Sequence, residues 1–401
     1  MENPYRYSAM DKTLEMIHNE YVALPQEEKK RNTEILLALL NEIIEACKSN
    51  ELFCNLYRAP YFGGSYYEGL KIKRPDEYDI HIKLCFPAVD NCQMISSYKS
   101  GYVHLQFSRT RNNSRKLWNS RLGIRRPYYG MNGLHVLINE SDFLDSKKVM
   151  LWMHEILSKW VGGRRRRKAR VVWKDTAFGT LQIKLQRHGP AFTFRVTNFE
   201  DIFFNFDFVP CFLFGKDQWP EGFRQYHEEP EKCEFYVIPK SPNNIRGGTA
   251  YLRTSFQEQD RHILYSKEKL KPALRLIKKL RDKLKIENAI VSFFIKNLFL
   301  WEVLTRRVEF WNLPLSYIFM KMLEKLQKSI KYGEIRYFWH HKFNLIGHID
   351  NETLYDISET LRHIIIDIKN NPDDQYLIAK YLLSRSELKR FRSMVSIQEQ
   401  I

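Results

Sequence analysis

Apolar residues recur along this chain at two different spacings, and the change of spacing divides it. Across residues 26–49 they fall at Ile35, Leu36, Leu39, Leu40, Ile43, Ile44 and Cys47. That is the stripe of one long amphipathic helix, started near Pro25 and led by the charged cluster 27–31. Across 77–84 the period is two, so a strand puts Tyr78, Ile80, Ile82 and Leu84 on one face and Glu77, Asp79 and His81 on the other. Residues 204–210 alternate in the same way, with Asp207 opposite in face to Phe204, Phe206 and Phe208. Further strands are legible at 102–107, 179–186 and 191–196, the last two joined by Arg187-His188-Gly189-Pro190, a hairpin signal. A helix is expected over 141–160. The segment 235–240 marks a crossing into helical rhythm, which then runs through 270–285, 289–306, 314–331, 352–369 and 375–383. The pattern predicts an α+β chain: a mixed β-sheet core lobe with a long helix over 1–240, and a helical C-terminal lobe over 241–401. No repeat or low-complexity linker separates them, so the two are expected to pack as lobes around one cleft.

Composition narrows the class. With 401 residues, 44% of them hydrophobic and 14% aromatic, the chain can fill a sizeable core. Lysine and arginine number 64 against 47 acids, a net charge of +17, which points to a polyanionic partner such as nucleic acid or an acidic membrane surface. Six cysteines (Cys47, Cys54, Cys85, Cys92, Cys211 and Cys233) show no CxxC spacing, and the N-terminus lacks the order of a signal peptide, so reduced thiols in the cytoplasm are expected. The longest apolar stretch, 289–304, is broken by Lys296, Asn297 and Glu302 and reads as a buried helix, with no membrane partner implied.

The chemistry concentrates in 62–84. Gly63, Gly64 and Ser65 form a turn small enough to bring backbone N–H groups to a phosphate, with the Ser65 hydroxyl as a further donor. Glu77 and Asp79 then point the same way, which core packing alone does not favour. A solvated edge strand would also tolerate such a pair. Asp207, a lone acid on an aromatic strand, adds a third carboxylate, and three of them beside a Gly-Gly-Ser turn make a ligand set for two-metal phosphoryl transfer. Basic clusters lie elsewhere. Lys29, Lys30, Arg31 and Lys48 sit on the long helix, arginines and aromatics interleave over 109–129, and the densest run is Arg164, Arg165, Arg166 and Arg167 with Lys168 and Arg170. Each suits a nucleic-acid surface and equally an ordinary solvated face; the dense run also suits a nuclear-import address.

The order Gly64-Ser65-Tyr66-Tyr67-Glu68, Lys71-Ile72, Pro75, Glu77-Tyr78-Asp79 and, far downstream, Asp207-Phe208-Val209-Pro210 resembles the nucleotidyltransferase core of cyclic GMP-AMP synthase and the cGAS-like receptors, within the Mab-type family. The likeness continues to Phe343-Asn344-Leu345 and covers most of the chain. It implies a two-lobed nucleotidyltransferase fold whose long helix is a spine touching both lobes. It implies that Glu77, Asp79 and Asp207 are catalytic and hold two Mg²⁺ or Mn²⁺ ions, with Gly64 and Ser65 cradling the phosphates. On the second lobe it nominates Lys240, Arg253 and Ser255, then Lys278 in Leu274-Arg275-Leu276-Ile277-Lys278-Lys279, as nucleotide-binding. In Val291-Ser292-Phe293-Phe294 it makes Ser292 a phosphate donor and Phe293 the ring under a base. Here Val291 replaces a serine and Phe293 a tyrosine, so one hydroxyl contact is absent while stacking survives.

The larger departure concerns zinc. The synthase carries a His-Cys-Cys-Cys thumb where residues 260–273 hold His262 and no cysteine, so no structural zinc is expected. That absence is shared by cGAS-like receptors responding to double-stranded RNA, a helix read by shape through phosphates and 2′-hydroxyls. The resemblance therefore implies a cytoplasmic innate immune sensor that synthesises a cyclic dinucleotide such as cGAMP from ATP and GTP. Double-stranded RNA would activate it, through Lys29, Arg31, Lys48 and Arg164, Arg165, Arg166 and Arg167, and a downstream receptor would read its product. The alternatives are a catalytically silent Mab-type protein that binds nucleotide or a partner, and another template-independent nucleotidyltransferase such as an oligoadenylate synthase or a poly(A) polymerase.

Overall fold

The computed structural model describes residues 3–87, 92–108, 133–162, 170–177, 179–198, 202–225, 234–242 and 248–398. The interleaved stretch 109–129, Arg164 to Arg167 and Cys233 lie outside them. In chain order the helices are α1 (Asp11–Ile17), α2 (Gln26–Lys48), α3 (Glu51–Leu56), α4 (Gly64–Tyr67), α5 (Ser146–Trp160), α6 (Gln257–Ile263), α7 (Leu270–Leu284), α8 (Ser292–Thr305), α9 (Leu315–Lys331), α10 (Asn351–Asn370), α11 (Leu377–Leu382) and α12 (Arg385–Gln398). The strands are β1 (Tyr57–Gly63), β2 (Glu77–Leu84), β3 (Cys92–Ser96), β4 (Tyr102–Phe107), β5 (Arg170–Thr176), β6 (Gly179–His188), β7 (Ala191–Thr197), β8 (Ile202–Phe214), β9 (Phe235–Ile238) and β10 (Leu252–Ser255), followed by the hairpin β11 (Arg336–Tyr337) and β12 (His340–Asn344). Contacts divide the chain into two compact units, one of Gln26–Glu68 and Pro75–Gln259, the other of Met1–Pro25, Gly69–Arg74 and Asp260–Ile401. Among the described residues no helix is long and apolar enough to cross a membrane.

The first unit is built on a ten-stranded mixed sheet in which β8 joins three neighbours: β2 in parallel and β7 and β9 antiparallel. The segment 235–240, read as the crossing into the helix-rich half, carries strand β9, and β10 adds a further strand beside it. Their short apolar runs carry no period long enough to betray a strand. One sheet face is packed with rings. Tyr78, Phe192, Phe194, Phe204, Phe206 and Phe208 are all fully buried there, with Phe194 stacked on Phe206 at 4.8 Å and Tyr78 edge-on to Phe204 at 5.3 Å. Helices α2 and α5 serve this face: Trp160 meets Phe194 at 5.9 Å and His154 stacks on Phe192 at 6.2 Å.

The apolar stripe read from α2 is the buried one, joined by Asn32. That amide donates to the Pro75 carbonyl at 2.8 Å and to the Phe203 carbonyl at 3.4 Å, which is why a polar residue is tolerated inside. Helix α5 starts five residues later than 141–160 suggests. Asp145 caps it, accepting from the backbone of Lys147 at 2.8 Å and of Lys148 at 3.0 Å. The β6–β7 hairpin turns at Gly189, whose φ of 59° is left-handed.

The second unit is helical. Amphipathic α7, α9 and α10 bury Leu274, Ile277, Phe319, Leu323, Leu361 and Ile365, while α8 is apolar nearly all round and sits inside the unit.

Candidate active site

Strand register brings the predicted acids together. Asp79 and Asp207 are partners in the parallel β2–β8 pair, with Glu77 opposite Asn205 one step toward the strand ends. All three acids fall on the face opposite the buried rings, as the two-residue period requires. β2 is no edge strand, since β1 and β8 flank it. Above the pair the chain leaves β1 at Gly63, the antiparallel partner of Asp79, and turns at Gly64 with φ of 70°. A Cβ on Gly64 would lie 1.7 Å from Asp79 Oδ2, so the backbone of this turn rests against the carboxylate, and only glycine fits. Ser65 follows in the single turn of α4, half-buried.

The electrostatics of the acids are those of groups held close. Burial lifts the Asp207 carboxyl above its ordinary value and the Glu77 charge adds to the effect, while the Thr193 hydroxyl and His188 oppose it. Thr193, across the β7–β8 pair, donates to Asp207 Oδ1 at 2.6 Å and fixes that carboxylate's orientation. No pattern in the sequence singled out Thr193, because its pairing depends on how β7 and β8 register. Three carboxylates suit a hard divalent cation, the kind nucleotidyltransferases use. The close Gly64 turn and the repulsion felt by Asp207 fit such a group. Among the described residues no three metal-ligating side chains already stand as a closed cage.

Toward the other end of the same face the polar groups are buried or half-buried, and the charged ones are paired. His81 is 3% exposed, and burial lowers its pKa to about 4; Gln257 Nε2 stands 3.3 Å from its Nε2. Lys83 lies between the rings of Tyr61 and Tyr236, at 5.4 and 5.5 Å, and pairs with Glu258 at 2.7 Å and Glu234 at 3.3 Å. Burial works against its charge, yet the two carboxylates outweigh this and raise its pKa. Tyr236 donates its hydroxyl to Glu258 as well.

Arg253 and Ser255 project on the acid face too, since register carries it from Leu213 of β8 to Tyr236 of β9 and Ser255 of β10. Burial depresses the Lys240 pKa and the neighbouring Arg253 charge depresses it further. Two cations held this close suit an anion.

The remaining nominated residues belong to the helical unit. Lys278 is 4% exposed and its ammonium donates to the Leu70 carbonyl at 2.6 Å, so in this structure it ties segment 69–74 to α7. Ser292 opens α8 and accepts from Arg281 Nη1 at 2.6 Å. Phe293 is half-exposed, unlike a core ring, with Lys296 Nζ 5.8 Å from its centroid. That ammonium is held by Asp260 at 2.8 Å, which also accepts from Trp339 Nε1 at 2.8 Å. Of the spine-helix cations, Lys29 is exposed. Arg31 lies over the Phe203 ring at 4.4 Å, and Lys48 pairs with Glu45 at 2.7 Å.

Residues 66–266 match the Mab-21 protein nucleotidyltransferase domain and residues 269–363 the Mab-21 protein HhH/H2TH-like domain. The chain belongs to the Mab-21 nucleotidyltransferase family, in the branch of the cGAS-like receptors, and is a nucleotidyltransferase. It is 32% identical over 396 residues to a cyclic GMP-AMP synthase-like receptor of Aethina tumida, covering 96% of this chain and 94% of that protein. A cyclic GMP-AMP synthase-like receptor of Tribolium castaneum is 33% identical, over 95% and 94% of the two chains. One of Nicrophorus vespilloides is 26% identical, over 91% and 94%.

Proposed function

We propose that this protein is a nucleic-acid-activated synthase that joins ATP and GTP into a cyclic dinucleotide such as cGAMP, with double-stranded RNA as the activator. The observation that carries the reading is the Asp79–Asp207 register pair lying under the Gly64 turn. Glu77, Asp79 and Asp207 would hold two Mg²⁺ or Mn²⁺ ions, which when bound neutralise the triphosphate and acidify the attacking ribose hydroxyl. Asp207, oriented by Thr193 and raised in pKa, is the residue assigned to accept the hydroxyl proton. Gly64 and Ser65 position phosphate, and Lys240, Arg253 and Ser255 supply the cationic and hydroxyl contacts on the same sheet face. In the helical unit Ser292 and Phe293 are assigned to phosphate and base. Lys278, already engaged with Leu70, is assigned to neutralise the triphosphate only by exchanging that carbonyl for it.

The +17 charge supports a phosphate-bearing activator, with Lys29 and Lys30 the exposed cations among the spine-helix candidates. The absence of cysteine in residues 260–273 supports RNA over a zinc-assisted DNA grip. The test is incubation of the protein with ATP, GTP, Mg²⁺ or Mn²⁺, and either duplex RNA or duplex DNA. A phosphatase-resistant cyclic product formed with duplex RNA is the expected result, and its yield should fall steeply with salt, affinity dropping on the order of 10³-fold between low and moderate salt. Equal activation by duplex DNA removes the RNA preference, and product formation with neither duplex removes the activator. Elemental analysis finding one tightly held zinc per chain would contradict the zinc-free reading.

A further inference from the structure

Helix α12 lies in the helical unit beyond the last residue matched by either family domain, at 363. Its sequence, Arg385-Ser386-Glu387-Leu388-Lys389-Arg390-Phe391-Arg392, carries four cations and one acid within two turns. The acid is turned away: Glu387 pairs with buried Lys279 at 2.5 Å and accepts from the Ser384 backbone at 2.8 Å. Phe391, 1% exposed, anchors the apolar side of the helix. The opposite side is left cationic. Arg385, Lys389 and Arg392 are exposed and, among the described residues, none has an acid partner. Some cations elsewhere in this unit are paired, as Lys325 is with Glu302 at 2.8 Å, Arg362 with Glu359 at 2.7 Å and Lys369 with Glu324 at 2.6 Å. The three cations border an open hollow of about 380 Å³ together with Leu388, Ser393 and Ser396.

We propose that this outward face of α12 is a phosphate-backbone contact surface for nucleic acid, an inference that rests on the nucleic-acid-activated reading above and adds a surface to it. Spacings of four and seven residues set the cations about 6 and about 10 Å along the axis from Arg385, a row that tracks successive phosphates rather than one. The hollow is open and lined by side chains of a single helix, so it lacks the convergent enclosure that a small polyphosphate needs. The two serine hydroxyls donate to the Lys389 and Arg392 carbonyls at 3.2 and 2.9 Å, which leaves recognition to charge and makes it independent of sequence. A lipid bilayer is disfavoured because the apolar side faces inward and Ile397 is the one large apolar residue exposed on the described part of the helix.

The experiment compares the full chain with the triple variant Arg385→Gln, Lys389→Gln, Arg392→Gln. Fluorescence anisotropy with a labelled duplex RNA is recorded across a salt series, alongside flotation with vesicles containing anionic lipid, and thermal unfolding verifies that the variant is folded. The expected result is that the wild type binds the duplex and the variant loses about two to three from the slope of log affinity against log salt, near one per phosphate contact. A second variant, Lys389→Arg, keeps the charge and should keep the slope. Wild-type binding with an unchanged slope in the triple variant overturns the α12 surface and leaves the activator reading standing. Failure of the wild type to bind duplex RNA or DNA overturns the activator reading and this surface with it. Vesicle binding that the triple variant alone loses assigns the face to a membrane and overturns the proposal.

Discussion

The two ends of the open face of β2 and β8 use the same strands and the same alternation for opposite purposes. At one end Glu77, Asp79 and Asp207 lie at or near solvent under a glycine turn, and burial plus the Glu77 charge lift the Asp207 carboxyl. At the other, His81 and Tyr236 are buried, His81 as a neutral ring, and Lys83 and Glu258 pair with opposite charge. Four residues of one strand thus pass from a cluster of like charges to a network in which Lys83 meets carboxylates of opposite sign. Under the proposed function the first end carries the chemistry, since a carboxyl raised in pKa beside a like charge marks a candidate site, while the second end contributes to stability.

The largest way to break the contrast is at the acid end. Asp79→Asn is expected to lower nucleotidyl transfer by at least about 10²- to 10³-fold, the scale of losing one preorganised electrostatic group, while duplex affinity measured by anisotropy holds. Retention of near wild-type turnover would falsify the ligand assignment. The companion change Asp207→Asn should raise the stability of the metal-free protein. A carboxyl whose folded pKa is raised costs stability as pH climbs from its ordinary value of 3.8 through the folded one, and the amide removes that cost.

Next is Gly64→Ala, which leaves every carboxylate in place but drives a methyl into Asp79. Displacing the carboxylate by an ångström is expected to lower the rate on the order of 10²-fold, with modest loss in thermal unfolding. A rate within a few-fold of wild type would mean that the turn does not set the position of Asp79.

Third, at the other end, Lys83→Met takes the cation from Glu258, leaving it only the Tyr236 hydroxyl, and should cost about 2 kcal/mol in denaturant unfolding. Lys83→Met with Glu258→Leu should recover part of that loss, which a network of purely apolar value would not do.

The smallest effect at neutral pH is expected from His81→Met, about 1 kcal/mol or less. Its signature is pH dependence. His81 stays neutral in the fold down to about 4 and would be charged in the unfolded chain below 6.5, so the wild type loses stability as pH falls through that window. The metal-free variant should show a flatter profile over the same range by calorimetry, and an unaltered profile would place the pH sensitivity elsewhere.

Much of this was written locally. The spine-helix stripe, the alternation of β2 and β8 and the Gly-Pro hairpin are short-range patterns, fixed by 3.6- and two-residue periods that any folded context must respect. They sufficed to place Glu77, Asp79 and Asp207 on polar faces and to define the helices after residue 270. Three features escaped them. Asp145 cuts α5 short because a side-chain cap competes with the apolar rhythm. β9 and β10 are too brief for a period to show. Thr193 acquires a role only through its partner.

What the sequence by itself determined, then, is which faces carry charge and which element each acid belongs to. Only the tertiary structure decided that Asp79 stands opposite Asp207 and that Gly64 lies on its carboxylate. It also turned His81 from a candidate for the open face into a buried neutral ring, placed Lys278 on the Leu70 carbonyl, and left the cations of α12 without acids. The physical reason is range. A periodic pattern is set by neighbours a few residues apart, whereas register, burial and charge pairing are settled between segments from about fourteen to more than a hundred residues apart, whose meeting no local rule encodes.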